Sequence, residues 1–507
     1  CLGGKIQNRI LIKIVKGLVG LFILISAQRG YAQQPSALGE LALFNRCYSH
    51  ITQTRLPRAH PLRGEVISGR LSAADACLQV LNSAQLVASG SAEGRLAADN
   101  ETSRRILKTF NDLHRSWFPN DDILIGIPEG VEFYPRTPQL YDEAESALHV
   151  TRALLTEGVP YSEVATSDQA MEALRASGPI RDSALADNER LKTRSAPNGD
   201  TSVTMDALLV QTGELLGVRR MSLNPEKLNK TVNSSTDIYL NSRYISPTLT
   251  IPFNQSFGAG IAGTRSYLLL NLGRPDSLPM NGGLRLARRW SKAVMKDLLC
   301  RDLPAVRNSD AIAHVQGSLG PSTPPFRGNV NCMACHATID PLAGVVRNLS
   351  FIPVPFRTSG GVATAHIYQW ATDRAPETGT VDDDYEFYRR PTNGNLYYRS
   401  YNGTLINKPV ASVPELGRAL AEADDLYVCA ASRYLQFFTG IGVNLQDEGD
   451  PQKPALSSGQ AAYRRVVTQL AAELKRHQSL KLLIHSILKS DIYRSSNLRL
   501  PGDGGSQ

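Results

Sequence analysis

Cys332-Met333-Ala334-Cys335-His336 says more about this chain than any other stretch of its 507 residues. C-x-x-C-H is the attachment signal for covalently bound c-type haem. Two thiols one helical turn apart can each add to a vinyl group of one porphyrin, and the adjacent imidazole then lies where it can ligate the iron. A zinc site needs two further ligands in a compact spacing, and the sequence holds no second Cys/His pair of that kind. The motif therefore predicts one covalent haem c, held by Cys332 and Cys335 with His336 as proximal ligand. The other ring nitrogen of His336 then needs an acceptor to fix its tautomer, and carbonyls around Asp340 and Pro341 are close in sequence.

Thioether attachment requires an exported chain, and the amino terminus reads as an export signal. Lys5, Arg9, Lys13 and Lys16 form a basic region, Gly17 to Ala27 is apolar, and Gly30-Tyr31-Ala32 offers small residues for cleavage. An apolar run of about eleven residues is too short to span a bilayer, which takes about twenty. Cys1 lies before this run, where lipidation is not expected. The first 32 residues carry five basic and no acidic side chains, so the formal charge of +8 falls to +3 without them. That is too little to support a nucleic-acid partner. The expected location is periplasmic or cell-envelope.

Setting aside Cys1 and the motif, Cys47, Cys77, Cys300 and Cys429 remain. An even remainder in an exported chain reads as two disulfides. Sequence proximity favours Cys47 with Cys77 and Cys300 with Cys429, although four cysteines allow three connectivities and free buried thiols are the alternative.

The apolar periodicity is mostly helical, and the fold class expected is mainly α. A signal peptide at 1–32 precedes an amino-terminal helical lobe at 33–190, with a helix from Tyr141 to Gly158. A haem-bearing lobe follows at 191–377. Residues 378–409 read as a small antiparallel β insertion, with hairpin signals at Asn393-Gly394 and Asn402-Gly403. A helical module at 410–495 and a disordered tail at 496–507 complete the chain. Asp382-Asp383-Asp384 lacks the glycine and glutamate of a calcium loop.

Arg289-Trp290 through Leu299-Cys300, Leu303-Pro304, and Cys332 to Pro341 ending in Ile339-Asp340-Pro341 resemble the large secreted planctomycete-type c-type cytochrome family. The carboxy-terminal segments Ser412 to Leu416, Val428-Cys429-Ala430 and Ile487 to Arg494 are similar to that family's helical module. The resemblance spans roughly residues 240 to 495. It departs after Asp340-Pro341, where this chain continues Leu342-Ala343-Gly344-Val345-Val346. It implies an exported, redox-active haem protein with a helical cytochrome-like haem region.

A second protein ligand to the iron makes an electron carrier, whereas an open position admits small molecules. No methionine follows the motif, so Met280, in the loop Leu278-Pro279-Met280-Asn281-Gly282-Gly283, is the methionine candidate. His366 is the histidine candidate and His314 a weaker third. Arg347 and Arg357 are candidates to neutralise haem propionates. Arg285, Arg289, Lys292 and Lys296, with Arg288 beside them, form a basic stripe at helical spacing that suits an acidic redox partner protein, or else a solvated face. Two functions stay open. One is a monohaem electron-transfer protein; the other is a haem-dependent oxidoreductase whose amino-terminal lobe binds substrate. Haem as a fold staple is a weaker third.

Overall fold

The computed structural model describes residues 37–119, 139–176, 206–209, 213–221, 248–249, 255–271, 287–318, 325–353, 364–370 and 391–500. The export signal, Met280, Arg285, Arg357 and the Asp382 to Asp384 run lie outside these residues. The described residues are mainly helical, as expected. Their helices are α1 Glu40–Thr52, α2 Pro61–Ile67, α3 Ala73–Asn82, α4 Glu101–Arg115, α5 Glu145–Leu155, α6 Glu163–Thr166, α7 Arg265–Asn271, α8 Arg288–Leu299, α9 Asn308–Ser318, α10 Val330–Ala343, α11 Val413–Glu422, α12 Asp424–Thr439, α13 Ser458–His477, α14 Leu480–Lys489 and α15 Asp491–Arg494. No helix among the described residues is long and apolar enough to cross a membrane.

Local signals account for many of the helix ends. Asn100 caps α4 and Ser457 caps α13, each in a reciprocal capping box. Ser412 starts α11 by accepting the amide of Glu415, and Pro414 sits in the first turn, where its missing N–H costs nothing. Gly440, at φ 74°, closes α12 in the left-handed conformation that glycine adopts without a Cβ penalty.

The two ends of the chain share one hydrophobic core. Phe44 and Phe110 from the amino-terminal helices are buried with Tyr427, Tyr434, Phe438 and Tyr493 from the carboxy-terminal ones. Each large side chain so buried contributes about 1.5–3 kcal/mol. Polar contacts close the same seam. The Leu38 amide donates to the Arg494 carbonyl at 2.9 Å, and Arg46 donates to the carbonyls of Tyr493 and Ser495. Residues 496–500, expected in a disordered tail, are also held: the Arg499 amide donates to Ser495 Oγ and the Leu500 amide to the Tyr463 hydroxyl. Every residue of α5 is buried, as suits a helix packed on all sides. It is shorter than expected because Gln139–Asp142 is strand β1.

Among the described residues three sheets accompany the helices. β1 pairs in parallel with β3 (Asp206–Leu209), and β3 pairs antiparallel with β7 (Thr364–Trp370). β5 (Thr248–Leu249) and β6 (Leu349–Pro353) also pair with β7. β2 (Met171–Arg175) and β4 (Leu215–Arg220) form a two-stranded antiparallel sheet. β8 (Gly394–Arg399) and β9 (Leu405–Val410) form the expected hairpin. Only Asn402-Gly403 supplies its turn, with Gly403 at φ 81°. Asn393-Gly394 instead begins β8, a correction whose reason is steric: a Cβ on Gly394 would meet the Val345 side chain and the Pro341 carbonyl.

Both expected cysteine pairs are at disulfide distance, with Cα–Cα separations of 6.4 Å for Cys47–Cys77 and 5.2 Å for Cys300–Cys429. The second joins the carboxy-terminal end of α8 to the middle of α12. Beside it, Arg433 donates to the Asp297 carbonyl at 2.7 Å.

Two outcomes follow from this core. Cys300 and Cys429 are 129 residues apart, and releasing a loop of that size costs about 5 kcal/mol. The Cys300→Ser, Cys429→Ser double variant should therefore unfold at clearly lower urea than the parent under non-reducing conditions; identical midpoints would show that the bond contributes no stability. Glu145 offers a pH test. It is fully buried and accepts hydrogen bonds from the Ser266 hydroxyl and the Met171 amide. Burial pushes its carboxyl up to about 7, helped by Asp142 and opposed by those hydrogen bonds and Arg265. The folded chain then keeps a proton that the unfolded chain releases near the ordinary value of 4.5. This contribution is fully present below that value and is lost by about 3 kcal/mol as pH rises to about 7, then stays level. Urea titrations from pH 4.5 to 8 should show this slope flattened in Glu145→Gln; an unaltered slope would rule Glu145 out as its source.

Candidate functional site

Asn329 begins the motif helix α10: its side-chain oxygen accepts the amides of Asn331 and Cys332. Helical spacing then puts Cys332, Cys335 and His336 on one face. The adjacent face carries Met333 and Ala337 into a small core with Val306, Ala311 and Val315, flanked by Phe326 and Tyr397. The thiol face stays half-buried.

Three neighbours fix the helix. α9 is anchored by two forked ion pairs: Arg399 on Asp310 at 2.8 and 2.6 Å, and Arg307 on Asp447 at 2.6 and 2.9 Å. These carboxylates lie below the usual range. For Asp310 the Arg399 hydrogen bond is the largest cause; for Asp447, burial opposes the lowering that Arg307 and the Gly449 amide produce. β8 approaches the helix end closely, because a Cβ on Gly344 would strike the Asn393 carbonyl. α8 supplies Arg288.

Asp340 stands one turn after His336 and accepts its Nδ1–H at 3.0 Å. Arg288 grips the same carboxylate, Nε to Oδ1 at 2.5 Å and Nη2 to Oδ2 at 2.9 Å. The side chains of Asp340 and Arg288 are only 9% and 18% exposed. A carboxylate already engaged by a guanidinium is an acceptor, so His336 must carry its proton on Nδ1, leaving the Nε2 lone pair available to a metal. No described residue donates to that Nε2. The Phe326 ring lies 5.2 Å from the imidazole and under the Arg288 guanidinium, 5.9 Å from its centre.

His336 and Asp340 line a cavity of about 190 Å³ together with His314, Arg327, Met333, Pro341, Gly344, Arg347 and Asn393. Burial lowers the basicity of His314, Arg327 adds to this, and Asp340 opposes it. Its ring packs 5.7 Å from Tyr397. Burial pushes the Cys335 thiol up, with Lys292 opposing and Cys332 reinforcing.

The donor set fits a thioether-bound haem. Cys332 and Cys335 are free thiols while the other four described cysteines are paired. They share a face with an imidazole presenting an available Nε2. Among the described residues no group of three His, Cys, Asp or Glu side chains is gathered to hold a bare metal ion.

The structure brings Arg347 to the cavity wall, where it caps the short turn Gly344–Val346 after α10. It puts His366 on β7, paired in register with Ile352 of β6; its side chain lies outside the description. Met280 lies outside the described residues. Arg288, beside the expected basic stripe, is engaged with Asp340. Lys292 and Lys296 are exposed on α8. The Asp340 carboxylate takes the role of acceptor that the sequence reading gave to nearby carbonyls. The signal was present in the sequence, since His336 and Asp340 are four residues apart on a helix. Arg288 and Phe326 had no such signal, because only the tertiary packing brings them to His336. No family model, curated protein or solved structure matches the chain.

Proposed function

We propose that this chain is an exported monohaem c-type cytochrome that transfers electrons in the cell envelope. The observation that carries this is the shared helix face of two unpaired thiols and an imidazole already fixed as its Nδ1–H tautomer. Bound there, the haem would supply an iron that alternates between ferric and ferrous states. Cys332 and Cys335 would hold the porphyrin, and His336 would ligate the iron through Nε2. Arg347 and Arg327 bring positive charge to the cavity beside His336 and suit the propionates. The planctomycete-type cytochrome resemblance supports the same reading.

The two exposed lysines of α8 bear on the partner. α8 packs directly on the motif helix α10, and Lys292 acts electrostatically on Cys335. Lys292 and Lys296 thus offer positive charge next to the proposed haem, where an acidic redox protein would be steered.

Expression with a cytochrome c maturation system should give covalent haem with the pyridine haemochrome spectrum of two thioethers, and Cys332→Ser with Cys335→Ser should abolish attachment. A folded, exported chain without covalent haem would sink the proposal. The ferric spin state then addresses the sixth position. A low-spin iron with a protein ligand is expected of a carrier, and either Met280→Ala or His366→Ala should convert it to high spin. An unchanged low-spin spectrum in both variants would rule out both ligands, and a high-spin parent that binds cyanide readily would favour the oxidoreductase.

A further inference from the structure

Two groups converge on one largely buried oxygen. Asp340 Oδ1 accepts from His336 Nδ1 at 3.0 Å and from Arg288 Nε at 2.5 Å, and the second Arg288 contact reaches Oδ2 at 2.9 Å. A carboxylate accepting the proximal N–H raises the basicity of the ligating nitrogen. More electron density on Nε2 stabilises ferric over ferrous iron. Arg288 works in the opposite sense, since its fixed positive charge draws the carboxylate's charge away from the imidazole.

The position of Arg288 adds a second observation. It is the first residue of α8, where the helix dipole disfavours a cation by a few tenths of a kcal/mol or more. Lys292 lies four positions further on and is exposed to solvent, so the helix does not lack a solvated basic face. Arg288 is drawn inward, its guanidinium over Phe326 and its fork on Asp340.

We infer that Asp340 and Arg288 are opposed positioning residues that set the reduction potential of the iron bound by His336. Asp340 favours the ferric state and Arg288 moderates that preference. This rests on the proposed haem attachment. In each turnover one electron passes between the iron and the redox partner, and His336 keeps its Nδ1 proton throughout.

The test is a spectroelectrochemical titration of the haem-loaded full chain at one pH, comparing the parent with Asp340→Asn, Arg288→Gln, Arg288→Lys and the Asp340→Asn, Arg288→Gln double variant. Asp340→Asn should raise the potential and Arg288→Gln should lower it. Each is expected to change the ferric-to-ferrous ratio at fixed poise by about tenfold, or about 59 mV for a one-electron couple. Arg288→Lys should return toward the parent value, and the double variant should resemble Asp340→Asn, because Arg288 acts through that carboxylate. A structural role alone would move both single variants in one direction, and that result, or no movement, overturns the inference while leaving the haem assignment standing. A chain that takes up no covalent haem overturns both. Should the variants fail to fold, proton NMR of the parent ferric protein decides: a slowly exchanging His336 Nδ1–H supports the pairing with Asp340, and a freely exchanging one overturns it.

Discussion

The meeting of Arg288 with Asp340 ties the motif helix to the body of the protein. The first turns of α10 pack in a small core around Met333 and Ala337, and only its last residues, Leu342 and Ala343, join the main core. Between these two packed ends the ion pair holds the helix at Asp340. It is largely withdrawn from solvent, so breaking it would strand a charge in a poorly hydrated place, which costs more than losing a surface pair. It is also bidentate, and the planar fork dictates the orientation of the carboxylate. With Asp340 held, the imidazole one turn earlier is held in its turn.

α8 connects this local arrangement to the shared core. At twelve residues it is a rod of about 18 Å. Arg288 stands at one end, and at the other Cys300 is paired with Cys429. Between them Trp290 is fully buried and donates its Nε1–H to the Ala262 carbonyl at 2.8 Å. The helix therefore has three fixed points along its length. Through Cys429 it is fastened to α12, whose Tyr434 hydroxyl is hydrogen-bonded to the buried His114 of α4 at 2.7 Å. The amino-terminal helices thus support the site indirectly: they form the wall against which α12, and hence α8, is braced.

This arrangement explains what could be read from the sequence. The motif, the mainly helical class, the paired cysteines and the hairpin at Asn402-Gly403 are local or arithmetic signals, and each was legible. The sheet around β7 was not. Its strands run from two to seven residues, too short for alternation to stand out, and they come from five separate stretches of chain. The shared core was hidden for a related reason. Amphipathic helices at 40–115 and 413–494 show that each has an apolar face but not which faces meet. Asp340 is partly legible: sequence distance puts it near His336, but only the folded chain shows that its side-chain carboxylate, rather than a backbone carbonyl, is the acceptor.

The free thiols impose an order on maturation. On the proposed reading, Cys332 and Cys335 must remain reduced in a compartment that oxidises Cys47, Cys77, Cys300 and Cys429. The fold helps to separate these fates. All four paired cysteines belong to the main core or its edge, and three of them are nearly inaccessible, with Cys47, Cys77 and Cys429 at 1–2% exposure. Cys332 and Cys335 sit on the half-buried face of a helix with its own small core. Collapse of the main core therefore draws the four structural thiols inward and together, while the motif pair stays outside it. Burial also raises the Cys335 pKa, which lowers its thiolate fraction and slows the exchange reactions that would consume it. The partition between disulfide and thioether chemistry follows from where each sulfur lies relative to one core, and α8, fastened to that core at Cys300 and to the motif at Arg288, is the element that keeps the two regions in register.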